Sequence, residues 1–292
     1  MFARENMKLA IGIDMGGSKI LGILMDEKGR IIKSYRRPTQ ADKPRRKIIA
    51  NLVEVINNLK TKEVVGVGIG IPGIADQKGR LQLIPNVQKL RGVNLRKELE
   101  KRVRLKVRVE NDANLFALAE HRHGAAKGCN NSIGIIIGTG VGTGIVIDNQ
   151  IYSGSGGAAG EAGHTKLVVN KEVIEVEDLI SGPDIVRRYE ALSGKRAHTP
   201  RVILNKKDPF ARQVYEEIVF YIGLFFANLI NTFNPEAIVI GGGVSNLPFY
   251  SDIRKVVKKY AHPYMAKMCK IKKYALGDDS GVIGAAELVF CD

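Results

Sequence analysis

Strand-like runs open the chain at Leu9–Ile13, Ile20–Met25 and Ile31–Arg37, with Asp26-Glu27-Lys28-Gly29 between the last two. Runs of this length bounded by turn residues read as β-strands, and the Asp-to-Gly tetrapeptide as a hairpin turn. The period changes at about Lys43–Leu59, where Ile48, Ile49, Leu52, Val53, Val55, Ile56 and Leu59 share one broad helical face. A buried strand at Val64–Ile71 follows, then a loop-rich stretch to Asn94, a basic helix Leu95–Arg102, a strand Leu105–Val109 and a helix from Ala113. The pattern then restarts. Strands are predicted at Ser132–Ile137, Gly144–Ile147 and Ile151-Tyr152, then a glycine loop, a helix Asp184–Leu192 and a long apolar helix Phe210–Phe233. A strand Ala237–Ile240, a helix Asn246–Tyr260, a strand near Ile271–Ala275 and a closing helix Val282–Phe290 complete the chain. Both halves run hairpin, strand, helix without obvious residue identity, so the pattern predicts an α/β protein of two related half-domains.

Each half carries one glycine-rich turn between apolar runs. The first is Asp14-Met15-Gly16-Gly17-Ser18-Lys19 and the second Gly138-Thr139-Gly140-Val141-Gly142-Thr143-Gly144. Glycine lets main-chain N–H groups approach an anion with no Cβ in the way, so two such turns suggest two half-domains gripping one polyphosphate. As plain structure each is simply a hairpin. Neither is a P-loop, since no GxxxxGK[ST] occurs. Gly68-Ile69-Gly70-Ile71-Pro72-Gly73 matches GxGxxG but runs into a turn rather than a helix, which excludes a dinucleotide fingerprint.

Composition narrows the classes. Lys and Arg exceed Asp and Glu by a formal charge of +15. The basic residues are scattered with helical or strand-end spacing, with no interleaved aromatics, so they read as solvated faces rather than a nucleic-acid surface. The same charge attracts anionic nucleotides. The longest apolar run, Val219–Ile230, is short for a membrane span. Glu5, Lys8 and Asp14 interrupt any apolar leader, and Met7 is a candidate start. Cys129, Cys269 and Cys291 show no paired or metal-type spacing, so a reduced, cytoplasmic setting is expected. His121 and His123 fall on a charged helix face and are expected to be solvated.

Seven segments in order carry a family resemblance: Asp14–Lys19, Gly70–Gly73, Glu110-Asn111-Asp112-Ala113-Asn114, Gly138–Gly144, Gly160-Glu161-Ala162-Gly163-His164, Asn234–Ser245 and Gly281–Ala286. Together they resemble the ROK family of sugar kinases and related repressors, within the actin-like ATPase superfamily, over nearly the whole chain. The resemblance implies two actin-like (ribonuclease H-like) domains around a cleft. The first would span residues 1–113, completed by 280–292, and the second 114–279.

The resemblance also distributes roles. Asp112 is the general base that takes a proton from a sugar hydroxyl; as plain structure it would be a helix N-cap. Asn111 holds a sugar hydroxyl, and Gly73, Glu161, His164 and Glu177 line the sugar side, with Asn86 a further candidate. Glu177 is carried over through the Glu-x-x-x-Ser181-Gly182 pattern. Gly16, Gly17, Ser18, Lys19, Gly138, Thr139, Gly140, Gly142 and the Gly241-Gly242-Gly243 turn bind nucleotide. Asp14 is expected to organise Mg²⁺ through water, because a carboxylate beside polyphosphate needs a cation between.

One departure is plain. Most ROK proteins carry a CxCGxxGCxE segment that binds zinc together with the family histidine. Here residues 165–177 contain no cysteine, and a short hairpin turning at Asn170-Lys171 is expected instead. A four-ligand zinc site cannot form from these residues, so no zinc is expected. The implied function is an ATP- and Mg²⁺-dependent hexose kinase acting on the 6-hydroxyl of glucose or a related hexose, as a homodimer. The alternatives are an N-acetylmannosamine, N-acetylglucosamine or glucosamine kinase, a non-catalytic sugar-binding protein, or a repressor. With the first phosphate motif this early, a repressor's N-terminal helix-turn-helix domain is not expected.

Overall fold

The computed structural model describes residues 7–205 and 207–291, so the reading placed on Glu5 lies outside the described residues. Strands β1 (Leu9–Met15), β2 (Lys19–Asp26) and β3 (Ile31–Pro38) form an antiparallel meander. Asp26 closes its second turn, accepting from the Lys28 and Arg30 N–H groups at 3.0 and 2.9 Å. Helix α1 (Arg45–Leu59) then buries Ile48, Ile49, Leu52, Val55, Ile56 and Leu59 against this sheet. Full burial of each such side chain contributes about 1.5–3 kcal/mol. Strand β4 (Val64–Ile71), a small hairpin β5 (Ile74–Ala75) and β6 (Leu81–Leu83), helix α2 (Leu95–Val103) and strand β7 (Val107–Asn111) follow. The stretch read as loop thus holds a hairpin and a 3-10 turn at Pro85–Leu90. The sheet runs β3-β2-β1-β4-β7, with β1, β4 and β7 parallel.

The second half repeats the plan. Helix α3 (Asp112–Arg122) leads to β8 (Ser132–Ile137), β9 (Val141–Ile147) and β10 (Gln150–Ile151). Then come the hairpin β11 (Lys166–Val169) and β12 (Glu172–Glu175), with Asn170 and Lys171 at its turn as expected, and helices α4 (Val176–Ile180) and α5 (Gly182–Ser193). Helix α6 (Pro209–Phe233), β13 (Ala237–Gly241), α7 (Tyr250–Tyr260), α8 (Pro263–Met268), β14 (Lys270–Lys273) and α9 (Ser280–Phe290) complete it. The second sheet runs β10-β9-β8-β13-β14, the same order as the first. The helix expected from Asn246 begins four residues later, at Tyr250. Pro248 explains the delay: it holds Leu247 extended (ψ 140°), so the preceding 3-10 turn cannot run on as a helix.

Helix α6 has the length and apolarity of a membrane span. However, its Val214, Ile218, Ile222, Phe225, Phe226 and Ile230 are buried in the second core, so its composition is that of a core helix. Asp208 caps it, accepting from Phe210 N–H at 3.0 Å.

Helices α3 and α9 fill the space between the sheets: α9 lies on β1 and β4, α3 lies on β8 and β9, and the two helices pack on each other. The end of the chain thus returns to the first sheet. Close approach requires glycine in the strands beneath: a Cβ on Gly68 would stand 1.7 Å from the Ala285 carbonyl oxygen. This layer overturns the expected solvation of His121 and His123. His121 is 2% exposed and bonds Ser132 Oγ and Asn149 Oδ1. His123 meets Glu287 of α9 at 2.9 Å. A helix covered from both sides turns even its polar residues largely toward protein partners.

Candidate active site

The parallel strands of the first sheet end at one edge, with Asp14 paired to Gly70 and Gly70 to Glu110. Ligands of open α/β sheets bind beyond such carboxyl ends. Asn111 ends β7 and caps α3, its Oδ1 accepting from Ala113 and Asn114 N–H at 2.8 and 3.2 Å. The cap is therefore Asn111, and Asp112 is the first helical residue, with one carboxylate oxygen accepting from Ala113 N–H at 2.9 Å. The Asn111 amide also donates to the Gly73 carbonyl at 3.0 Å, joining two of the residues expected on the sugar side.

Asp14 and Asp112 line one cavity of about 320 Å³ with Phe116, Gly242, Gly243 and Asp278. Burial first, and then the charges of Asp14 and Glu161, push the Asp112 carboxyl up to about 6 against the lowering effect of the Ala113 N–H. Burial likewise raises Asp14, opposed by the Lys19 ammonium. A neighbouring cavity of about 720 Å³ is lined by Gly138, Thr139, Arg187, Glu190, Pro200 and Gly243. Gly243 and Asn246 belong to both, so the two cavities adjoin.

The glycine turns differ in what they do. In the first, Gly16 N–H bonds the Lys19 carbonyl at 2.9 Å, and Ser18 and Lys19 are exposed. Gly17 faces Asn86, whose Cβ would lie 3.0 Å from a Cβ on that glycine. Asn86 is exposed and stands against this first turn. Sequence reading missed Thr39, fully buried, whose hydroxyl donates to Gly16 O at 2.6 Å and whose N–H bonds Ser18 O at 2.9 Å. In the second, Gly138 N–H bonds Gly140 O at 2.9 Å and Thr139 is exposed. Glu177 braces this turn by accepting from Val141 N–H at 2.7 Å, a contact the sugar-side reading did not foresee. Two expected nucleotide glycines also have a packing role. A Cβ on Gly142 would sit 3.1 Å from Ala113 Cβ, and one on Gly241 would strike the Phe116 ring at 2.6 Å. Both lie under α3, because strand glycines admit the helix; Gly242, at φ +78°, and Gly243 face the cavity.

Glu161 and His164 form an exposed pair, Nε2 to Oε2 at 3.7 Å, beside the start of β9. His164 Nδ1 is 2.8 Å from Glu175 Oε2 on β12. The Glu175 hydrogen bond holds the imidazole above its ordinary pKa. The lining residues on α5 and at 198–201 had no sequence signal, because only the packing of α5 beside the second turn brings them there; Gly182 N–H donates to Gly138 O at 2.8 Å.

A model of the ROK family matches residues 10–291. The chain belongs to the ROK family. It is 32% identical over 312 residues to a glucokinase of Streptomyces coelicolor, covering 97% of this chain and 98% of that one. It is 33% identical over 304 residues to an N-acetyl-D-glucosamine kinase of Vibrio cholerae, covering 95% and 98%. Among solved structures, the ROK glucokinase of Streptomyces griseus in complex with glucose and AMPPNP is 30% identical, with a TM-score of 0.73 and coverage of 96% and 98%. The fold is thus the two-domain, actin-like fold implied by the motifs. Where the ROK cysteine segment would stand, this member has the hairpin β11–β12, and zinc does not fit it: residues 165–177 hold no thiol, and Glu175 occupies His164 Nδ1. Mg²⁺ does fit. Among the described residues no group of three candidate ligands converges. Mg²⁺ keeps most of its waters and uses one or two carboxylates with substrate phosphates, a demand that Asp14 beside the cavity meets.

Proposed function

We propose that this ROK protein transfers the γ-phosphoryl group of ATP to the 6-hydroxyl of glucose or a related hexose. At the coarser level it is an ATP-dependent sugar kinase, as its relatives of about 30% identity and the glucose–AMPPNP complex indicate. The observation that carries the finer reading is Asp112: a half-buried carboxylate with a pKa of about 6, sharing a cavity with Asp14 at the strand ends. A base in that range is ionised at neutral pH and still able to take a proton. Asp112 accepts the hydroxyl proton as the acceptor oxygen attacks. Asn111, Gly73, Glu161 and His164 orient the sugar, and the larger cavity by Thr139 and Gly243 takes the nucleoside. Asp14 would hold Mg²⁺ through water, and the ion would neutralise charge on the phosphates. We place the enzyme in the cytoplasm as a homodimer; its described cysteines are all free thiols, which suits a reducing compartment.

A coupled ADP-release screen over glucose, mannose, fructose, glucosamine and the N-acetyl amino sugars tests the reading. Glucose or another plain hexose should show the highest kcat/KM, and 6-deoxyglucose should not be turned over. Preference for an N-acetyl sugar would favour the second reading, an amino-sugar kinase, which the identity to N-acetyl-D-glucosamine kinases supports.

A further inference from the structure

The hairpin that stands in place of the family's zinc segment has a register set by its turn. Asn170 and Lys171 take φ of +51° and +69°, the two-residue geometry that matches strand twist. Val169 then pairs with Glu172, Leu167 with Ile174, and Lys166 with Glu175 at the open end. Leu167, Val169 and Ile174 pack against the second core, whereas Val168 and Val173 face outward. Glu175 shares the outward face, at the end of the strand nearest His164. A slip of one residue would turn it to the core. Both its carboxylate oxygens are engaged, Oε2 with His164 Nδ1 at 2.8 Å and Oε1 with Lys166 Nζ.

We propose that Glu175 is a positioning residue for His164, holding Nδ1 so that Nε2 is presented beside Glu161 to the sugar. A histidine with one nitrogen fixed by a carboxylate has a defined ring orientation and a defined tautomer or charge, as in metal sites where an outer carboxylate orients the ring. The groups facing His164 are Glu161, Glu175 and Glu177, with Lys166 on the far side of Glu175. The raised pKa of the imidazole is in line with this contact. The inference rests on the sugar-contacting role of His164.

The test compares three variants of the full chain by steady-state kinetics and by imidazole ¹⁵N–¹H spectra. Glu175→Ala should raise the sugar KM about tenfold, while kcat and the KM for ATP change little. Glu175→Gln keeps an oxygen that can accept from Nδ1–H and should recover most of the loss. Lys166→Ala removes the cross-strand ion pair but not the histidine contact, and should leave the sugar KM unchanged. In the spectra, Glu175→Ala should move the His164 resonances, identified by their absence in His164→Gln, whatever the substrate proves to be. Protein treated with EDTA and returned to excess Mg²⁺ should keep its activity and contain no stoichiometric zinc. Unmoved His164 resonances, equal losses in Lys166→Ala and Glu175→Ala, or zinc retained with activity would each overturn the proposal. A wild type that phosphorylates no sugar would instead overturn the function on which it rests, and the spectra would still decide the Glu175–His164 contact.

Discussion

Asp112 is held where its ionised form is penalised, and the site keeps the penalty for a reason. Burial and the neighbouring Asp14 and Glu161 charges raise its pKa from the ordinary 3.8 to about 6. Between those values the native state retains a proton that the unfolded chain has released, so stability falls as pH rises through that window and stays lower above it. Asp112→Asn should therefore raise the melting temperature near neutral pH, by an amount equivalent to at most about 3 kcal/mol, and should have no such effect below pH about 4. The same variant should lose about 10²–10⁴-fold in kcat, with sugar affinity within a few-fold, since a base acts mainly in the transition state. In the wild type, kcat/KM should fall as pH drops through about 6, as Asp112 takes up its proton. Retained turnover in Asp112→Asn, or a flat acid limb, would contradict the assignment. The motif Glu110-Asn111-Asp112 was legible in the sequence. Which of the three caps the helix was not, because Asn and Asp are equally good caps and only the backbone geometry separates them.

At the level of elements, glycine had two uses that sequence alone could not tell apart. Gly16, Gly17, Gly138 and Gly140 form the two glycine turns, whereas Gly12, Gly68, Gly142 and Gly144 lie in strands beneath α9 and α3. A strand of alternating glycine, such as Val64–Ile71, signals close backbone approach but does not name the element that approaches. Here it is the C-terminal helix, more than two hundred residues away in sequence. Gly68→Ala would place a Cβ 1.7 Å from a backbone oxygen, which no rotamer can relieve. It should cost on the order of 3 kcal/mol or more and lower the melting temperature sharply. Gly281→Ala, with open space around its Cβ position in the first turn of α9, should leave stability unchanged or improve it by about 0.5–1 kcal/mol. Thermal melts of the pair check this, and a Gly68→Ala protein as stable as the wild type would refute the packing account. The β11–β12 hairpin was readable because Asn170-Lys171 is a turn signal flanked by alternating residues; its contact to His164 was not.

For the whole molecule, the formal charge is +15, and the two proposed substrates are a polyanion and a neutral sugar. Steering by that charge acts on the nucleotide alone and is screened by salt. The KM for ATP should therefore rise several-fold between about 0.05 and 0.5 M salt while the KM for a neutral hexose stays constant; parallel rises in both would indicate a general salt effect instead. The repeated strand order of the two sheets was foreshadowed by the repeated hairpin–strand–helix plan, since local periodicity and turn residues determine elements. By itself the sequence determined most of the elements, the two glycine turns, the candidate base and the missing cysteines, because each is written in neighbouring residues. Only the tertiary structure decided that α3 and α9 lie between the sheets, that Thr39 and Glu177 brace the turns, that Asp14 and Asp112 share one cavity, and that Glu175 reaches His164. These depend on contacts between distant segments, and burial, which raises the pKa of Asp112, exists only once those segments have packed.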